Sequence, residues 1–458
     1  MTQTAADNEL GTERIGKLLR KLALPAILAQ IVNVLYNIVD RMYIGNIPVI
    51  GKAALTGVGV AFPVITLISA FAALIGMGGG PLAAIRMGAK DDEGAEKIMG
   101  NCFVALLALG AVLTAVFLVF RRELLMAFGA SADTIGYAES YLAIYVSGTV
   151  FVMMTLGMNN FIITQGFAKT GMATVLIGAV TNIVLDPVFI FAFDMGVQGA
   201  ALATILSQAI SCVWVLLFLL GKKTRLRLRA ACFRPDWKQL GRVAALGLSP
   251  FIMQGTESAV QIVLNSSLQT YGGDAAVGAM TIINSVLMVL LMPLQGLGQG
   301  AQPILSYNFG ACSYDRVRKT FFLLLKVSLI VAVSTWLLVM AAPQLFVMIF
   351  NRDAELMDIT VWAMRLCLGT VFMMGAQMAI QQTFVSVGMA KTSIFIAMFR
   401  KVILLIPLAL ILPRLFGLGM TGVFLAEPIA DFTSATTACI LFACQSKKIF
   451  HPQKGETA

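Results

Sequence analysis

Residues 74–90 read LIGMGGGPLAAIRMGAK, and residues 296–312 read GLGQGAQPILSYNFGAC. Gly76-x-Gly78-x-x-Pro81 in the first stretch returns as Gly298-x-Gly300-x-x-Pro303 in the second, 222 residues later, and Gly88-Ala89 returns as Gly310-Ala311. The same offset holds outward. Met126-x-Phe128 meets Met348-x-Phe350, and Gly166-Phe-Ala-Lys-Thr170 meets Gly388-Met-Ala-Lys-Thr392. Gly199 meets Gly422 one residue further on, and Pro25 pairs with Pro250. One offset held over so much of the chain describes a duplicated unit.

The composition names the solvent of that unit. The 458 residues carry 33 Lys/Arg and 23 Asp/Glu, so 12% are charged, about half the roughly 25% of a soluble domain. Hydrophobic residues reach 59% and the mean hydropathy is +0.87. These values exclude a soluble enzyme, a disordered chain and a secreted disulfide scaffold. Apolar segments fall at about 22–44, 54–80, 98–120, 137–163, 170–193, 197–220, 242–268, 276–301, 320–341, 357–385, 392–413 and 418–443. Each has the roughly 20 residues a helix needs to cross a bilayer. The expected fold is all-α, with twelve transmembrane helices in two six-helix lobes. Six is even, so both lobes start on the same side and the repeat is parallel.

The net charge of +10 follows topology and is no nucleic-acid footprint. Twenty-three Lys/Arg fall on the side of the termini and six on the other side (Arg41, Lys52, Arg121, Arg122, Arg352, Arg414), which places both termini in the cytoplasm. The expected organisation is a cytoplasmic N-terminus at 1–21, an N-terminal lobe at 22–220, a basic linker at 221–238 lying near anionic lipid, a C-terminal lobe at 239–445 and a tail at 446–458. No cleavable signal peptide is expected, since the first 21 residues are polar and the first apolar run is long enough to stay as a span. The seven Cys show no metal spacing, and the single His, His451, sits in the tail. Proton chemistry within the membrane therefore falls to carboxylates.

Ionisable residues inside spans are costly and mark function by default. On span 1, Gln30, Asn33, Asn37 and Asp40 form one polar stripe that must face protein or water. On span 5, Asn182 and Asp186 are one turn apart, with Pro187 next; Pro81, Pro187 and Pro303 are expected to bend their helices. Thr204 is the polar residue of span 6 between Gln198 and Ser207. On span 7, Gln254, Glu257, Gln261 and Asn265 make a second stripe. Glu427 and Asp431 lie one turn apart on span 12 and either pair with Arg400, Lys401 or Arg365 or face a cavity as attractors of cations. A few Met residues (Met153, Met154, Met288, Met292) are candidates for lining that cavity.

Together with the repeat, Val39-Asp40-Arg-Met-Tyr-Ile-Gly45, Asn182-Ile-Val-Leu-Asp186-Pro187 and Ala426-Glu427-Pro428 resemble the multidrug and toxic compound extrusion (MATE) transporters, bacterial type with an aspartate on the first span. The resemblance implies a V-shaped two-lobe fold and export of amphipathic, mostly cationic compounds in exchange for H+ or Na+. It implies a coupling site of Asp40, Asn182, Asp186 and Thr204, where Na+ could also bind, with Tyr141 and Asn159 in support, and a second ion-coupling candidate at Glu257. It further implies a bacterial inner membrane. No cofactor beyond the coupling ion is expected, and a monomer is. A lipid-linked precursor flippase and an exporter of one narrow metabolite are the alternatives. A channel, a nucleotide-driven pump and an enzyme lack their motifs.

Overall fold

In a computed structural model the described residues are 6–48, 50–132, 134–348 and 354–450. Phe350, Arg352, His451 and Lys454 lie outside them. The described chain is helical throughout. Spans 1 to 3 are Ile15–Gly45, Gly51–Gly88 and Asp92–Val119. Span 4 is the pair Ile135–Ser147 and Thr149–Thr164, bent by 55°. Span 5 is Ala168–Pro187 continued by a π helix, Val188–Ala192, and span 6 is Gly196–Leu220. Spans 7 and 8 share the run Trp237–Gly310, which reverses at Gly273 with φ +64°. Span 9 is Tyr314–Ala341, span 10 covers Leu356–Ser386, span 11 Ala390–Ile411 and span 12 Met420–Phe450.

The helices overrun the apolar segments on the side of the termini. Polar ends such as Arg86-Met-Gly88 and Lys447-Lys448 stay helical because the backbone has no reason to stop at the lipid boundary. The starts are chemically marked. Asp91 caps span 3 by accepting from the Gly94 amide at 2.8 Å, and Asp236 caps span 7 by accepting from Lys238 and Gln239.

The three prolines act differently on the helical backbone. Span 2 runs unbroken through Pro81 and span 8 through Pro303. Pro187 does disturb its helix: the missing donor is followed directly by the π turn. The 55° bend of span 4 sits at Gly148, where a Cβ would come within 2.4 Å of the Ile205 side chain.

Each lobe has an apolar core of its own, the first running the length of the lobe and taking in Leu226 and Leu228 of the linker, the second lying at the end away from the termini. One holds residues of spans 1 to 6, the other residues of spans 7 to 12. At the end carrying the termini a third core mixes the halves: Leu18, Leu19 and Leu22 of span 1 pack with Leu297, Ala301 and Ile304 of span 8 and Phe321 of span 9. The repeat shows itself there as reciprocal contacts. A Cβ on Gly88 would lie 2.0 Å from the Tyr307 carbonyl, and one on Gly310 would lie 1.9 Å from the Ile85 carbonyl. Gly78 approaches Val243 and Gly247 of span 7, while Gly300 approaches Ala23 of span 1. Gly78, Gly88, Gly300 and Gly310, among the glycines that reveal the duplication, are points where the lobes touch.

The lobes share packing at this seam. The start of span 1 belongs to the core shared with the second lobe, and Val243 of span 7 belongs to the core of the first. The N-terminal segment is itself helical at Ala6–Thr12, and its Leu10 carbonyl accepts from Asn308 at 2.9 Å and from Arg316 at 3.2 Å. The basic linker is held against the first lobe. Gln165 Oε1 accepts from Thr224 Oγ1, Arg225 N and Leu226 N, Arg225 pairs with Asp92 at 2.6 Å, and Phe233 stacks on Phe103. Two of its charges, Arg225 and Arg229, pair with Asp92 and Glu96 of the first lobe.

Candidate functional site

Asn182 and Asp186 are fully buried on span 5, and Thr204 is 8% exposed on span 6. The i, i+4 spacing puts the Asn182 amide beside the Asp186 carboxyl, and Nδ2 donates to Oδ1 at 3.1 Å. The same amide lies 3.4 Å from Thr204 Oγ1, and the Thr204 hydroxyl donates back to the Ala200 carbonyl at 3.0 Å. Asp40 arrives from span 1 with its carboxyl within hydrogen-bond reach of Asp186. Four residues from three spans therefore meet, Asn182 and Asp186 by their spacing and Asp40 and Thr204 as the resemblance implies.

The cluster is rich in acceptors. Asp40 Oδ1, Asn182 Oδ1 and Asp186 Oδ2 are each buried without a hydrogen-bond partner among the described residues. Neither carboxylate has an ion-pair partner among them. Arg41 acts on Asp40 electrostatically, but its guanidinium lies over the Phe62 ring, 5.1 Å from the centroid. Buried oxygens left this way suit a species that brings positive charge: a proton, which turns a carboxylate into a donor, or a hard cation such as Na+. The residues present fit either.

Three tyrosines close the niche. Tyr141 lies within hydrogen-bond reach of Thr204 and stacks on Tyr145, with centroids 6.1 Å apart. Tyr36, Tyr141 and Tyr145 all feel the charge of Asp40. Tyr141 was expected here; Tyr36 and Tyr145 were not. Both stand one turn from a recognised member, Tyr36 before Asp40 and Tyr145 after Tyr141, and that spacing was the available signal.

Other candidates fall elsewhere. Asn159 ties span 4 to the start of span 5: its Oδ1 accepts from Thr174 at 3.0 Å and its amide donates to the Gly171 carbonyl. Thr174 stands twelve residues before Asp186, roughly 18 Å along the helix, so Asn159 is not part of the niche. Asn33 is exposed, Gln30 is partly exposed, and Asn37 donates back to the Asn33 carbonyl of its own helix. Of the span 1 stripe, Asp40 alone joins span 5. Met153, Met154 and Met292 are buried and Met288 is exposed.

In the second lobe, Glu257 pairs with Lys401, and Asp431 pairs with Arg400 at 2.6 Å. Glu427 is buried. Gln254 and Gln261 are partly exposed on span 7 beside Glu257. None of these residues reaches Asp40.

The MatE family model matches residues 25–188 and again 251–411. The chain belongs to the MATE family. Two matched segments, one per lobe, agree with the repeat. The Multidrug export protein MepA of Staphylococcus haemolyticus is 24% identical over 93% of both chains. That of Staphylococcus aureus strain NCTC 8325 is 23% identical over the same shares. Among solved structures, an outward-facing conformation of a multidrug resistance MATE family transporter superposes with a TM-score of 0.91 at 23% identity, covering 98% of this chain and 99% of that one. A member of the MATE family is a membrane transporter and not an enzyme, and this one spans the membrane with twelve helices in two lobes.

Proposed function

We propose that this MATE protein exports amphipathic, mostly cationic compounds in exchange for inward-moving H+ or Na+ by alternating access. The supporting observation is the buried acceptor cluster of Asp40, Asn182, Asp186 and Thr204, with three oxygens left for a cation. The relatives named as multidrug export proteins agree with the substrate class.

The mechanism follows from the packing. With both termini in the cytoplasm of a bacterial cell, the glycine contacts between Gly88 and Tyr307 and between Gly310 and Ile85 close the cytoplasmic end. This conformation is then outward-facing. A proton or Na+ enters from outside and neutralises the Asp40–Asp186 pair. Span 1 carries Asp40 at one end and the cytoplasmic seal with span 8 at the other, so loading the pair can alter that seal. A ligand moves such an equilibrium only through its different affinity for the two states, and a change in the charge of a buried pair supplies one. One chain holds both lobes, so a monomer suffices.

The test is efflux of a fluorescent organic cation such as ethidium from proteoliposomes under an imposed pH or Na+ gradient. Wild type should follow one gradient, and Asp40→Asn and Asp186→Asn should not. Full coupled efflux by both variants would remove the site from the mechanism. Transport of no tested cation under either gradient would move the substrate to a lipid-linked precursor or a single metabolite.

A further inference from the structure

The second lobe holds a charged cluster that the proposed coupling site does not use. Five side chains form it: Glu257 of span 7, Arg400 and Lys401 of span 11, and Glu427 and Asp431 of span 12. Three acids face two bases, and both bases are engaged. Arg400 Nε donates to Asp431 Oδ1 at 2.6 Å, in a pair whose side chains are 13% and 3% exposed. Lys401 donates to Glu257 and to the Met253 carbonyl. Glu427, one turn before Asp431 on the same helix face, is 7% exposed, and its Oε2 is buried with no hydrogen-bond partner among the described residues. The groups facing it are Asp431 on its own helix, Arg400 and Lys401 on span 11, Glu257 on span 7 and the Cys367 thiol on span 10.

Glu257 is half exposed and open to water, so of the acids withdrawn from water Asp431 is paired with a base and Glu427 is the one that is not. A bare buried carboxylate is strongly disfavoured. A metal ion or an organic ammonium would meet two fixed positive charges beside a single free carboxylate, whereas a proton adds no bulk and turns that carboxylate into a neutral group. We propose that Glu427 is a second proton-binding site, in the lobe opposite the coupling pair, and that it exchanges its proton with the solution.

The backbone supports exchange. Span 11 widens into a π helix at Phe399–Leu405, and this segment presents Arg400 and Lys401. The wider turn lets neighbouring bases reach two different spans, Arg400 towards span 12 and Lys401 towards span 7. Such turns occur mostly as single bulges inside α-helices, and frequently at functional sites. When Glu427 loses its proton, Arg400 faces two carboxylates one turn apart instead of one. The proton on Glu427 therefore decides how firmly span 11 is tied to Asp431.

The test is infrared difference spectroscopy between acidic and alkaline pH on the full chain carrying Asp40→Asn and Asp186→Asn, which removes the two carboxyls of the coupling pair. This readout does not depend on transport, so its failure is separate from failure of the antiport reading. The expected result is a carboxylic-acid carbonyl band that vanishes at high pH, is lost with added Glu427→Gln and persists with added Glu257→Gln. A band unchanged by Glu427→Gln, or one that answers to Na+ at constant pH, would overturn the proposal. Gln imitates the protonated carboxyl, so a Glu427→Gln protein that fails to accumulate would overturn it as well.

Discussion

In the first lobe Asp40 and Asp186 share a niche with an amide, a hydroxyl and three phenols, and neither has an ion-pair partner among the described residues. In the second lobe Asp431 and Glu257 are each held by a base from span 11. The backbones repeat and the chemistry does not. Glycines and prolines recur at one offset because both lobes need the same close helix crossings. The acids follow no such constraint. One lobe keeps its charge open to exchange with a cation, while the other balances most of it internally. Duplication therefore sets where a site can be built and leaves its chemistry free.

The largest effect should come from breaking the balanced side. Arg400→Met leaves Asp431 and Glu427 buried together without the guanidinium, which should cost about 3–5 kcal/mol. Thermal unfolding in detergent reads this directly, and a variant as stable as wild type would erase the contrast between the lobes.

The shared frame is probed next. Gly88→Val and Gly310→Val each drive a branched side chain onto a facing carbonyl, at an expected cost of about 1–3 kcal/mol apiece. Equal losses of stability would support a symmetric seal; a loss confined to one would show that the lobes bear on each other unequally.

On the unbalanced side, Asp186→Asn should leave stability close to that of wild type, because it removes a buried acid that has no ion-pair partner. Gradient-driven efflux should fall at least about tenfold, equivalent to about 1.4 kcal/mol. A destabilised variant that kept its transport would reverse the roles of the two lobes.

The smallest effect is an asymmetry within one pair. Glu257→Gln strands a Lys401 ammonium that is 9% exposed, whereas Lys401→Met leaves a Glu257 carboxylate that is 52% exposed and that water can solvate. The first should cost more than the second by about 1 kcal/mol. The order of the two midpoints in parallel melts decides it.

Composition and the offset were enough for the all-helical class, the twelve spans and the two lobes. Apolar length and recurring glycines are local properties, and each element declares itself. Asn182 with Asp186 was legible for the same reason, since one helical turn is a local geometry. Asp40 and Thr204 came through the family resemblance, because nothing along the chain says which spans are neighbours. Asn159 was misplaced on that ground: its span was right, but its depth set it beside Thr174 and not Asp186.

The linker shows the remaining limit. Its charge count says nothing of partners within the protein, because Gln165, Asp92 and Glu96, which hold it, lie far away in sequence. The pairing of Glu257 with Lys401 and of Asp431 with Arg400, and the solitude of Glu427, were decided in the same way, by which helices came to lie side by side. Sequence alone determined what each helix is and which residues could carry charge through it. Tertiary structure alone decided which charges were cancelled and which stayed open, because electrostatic cost depends on separation and burial, and neither is a property of a residue by itself.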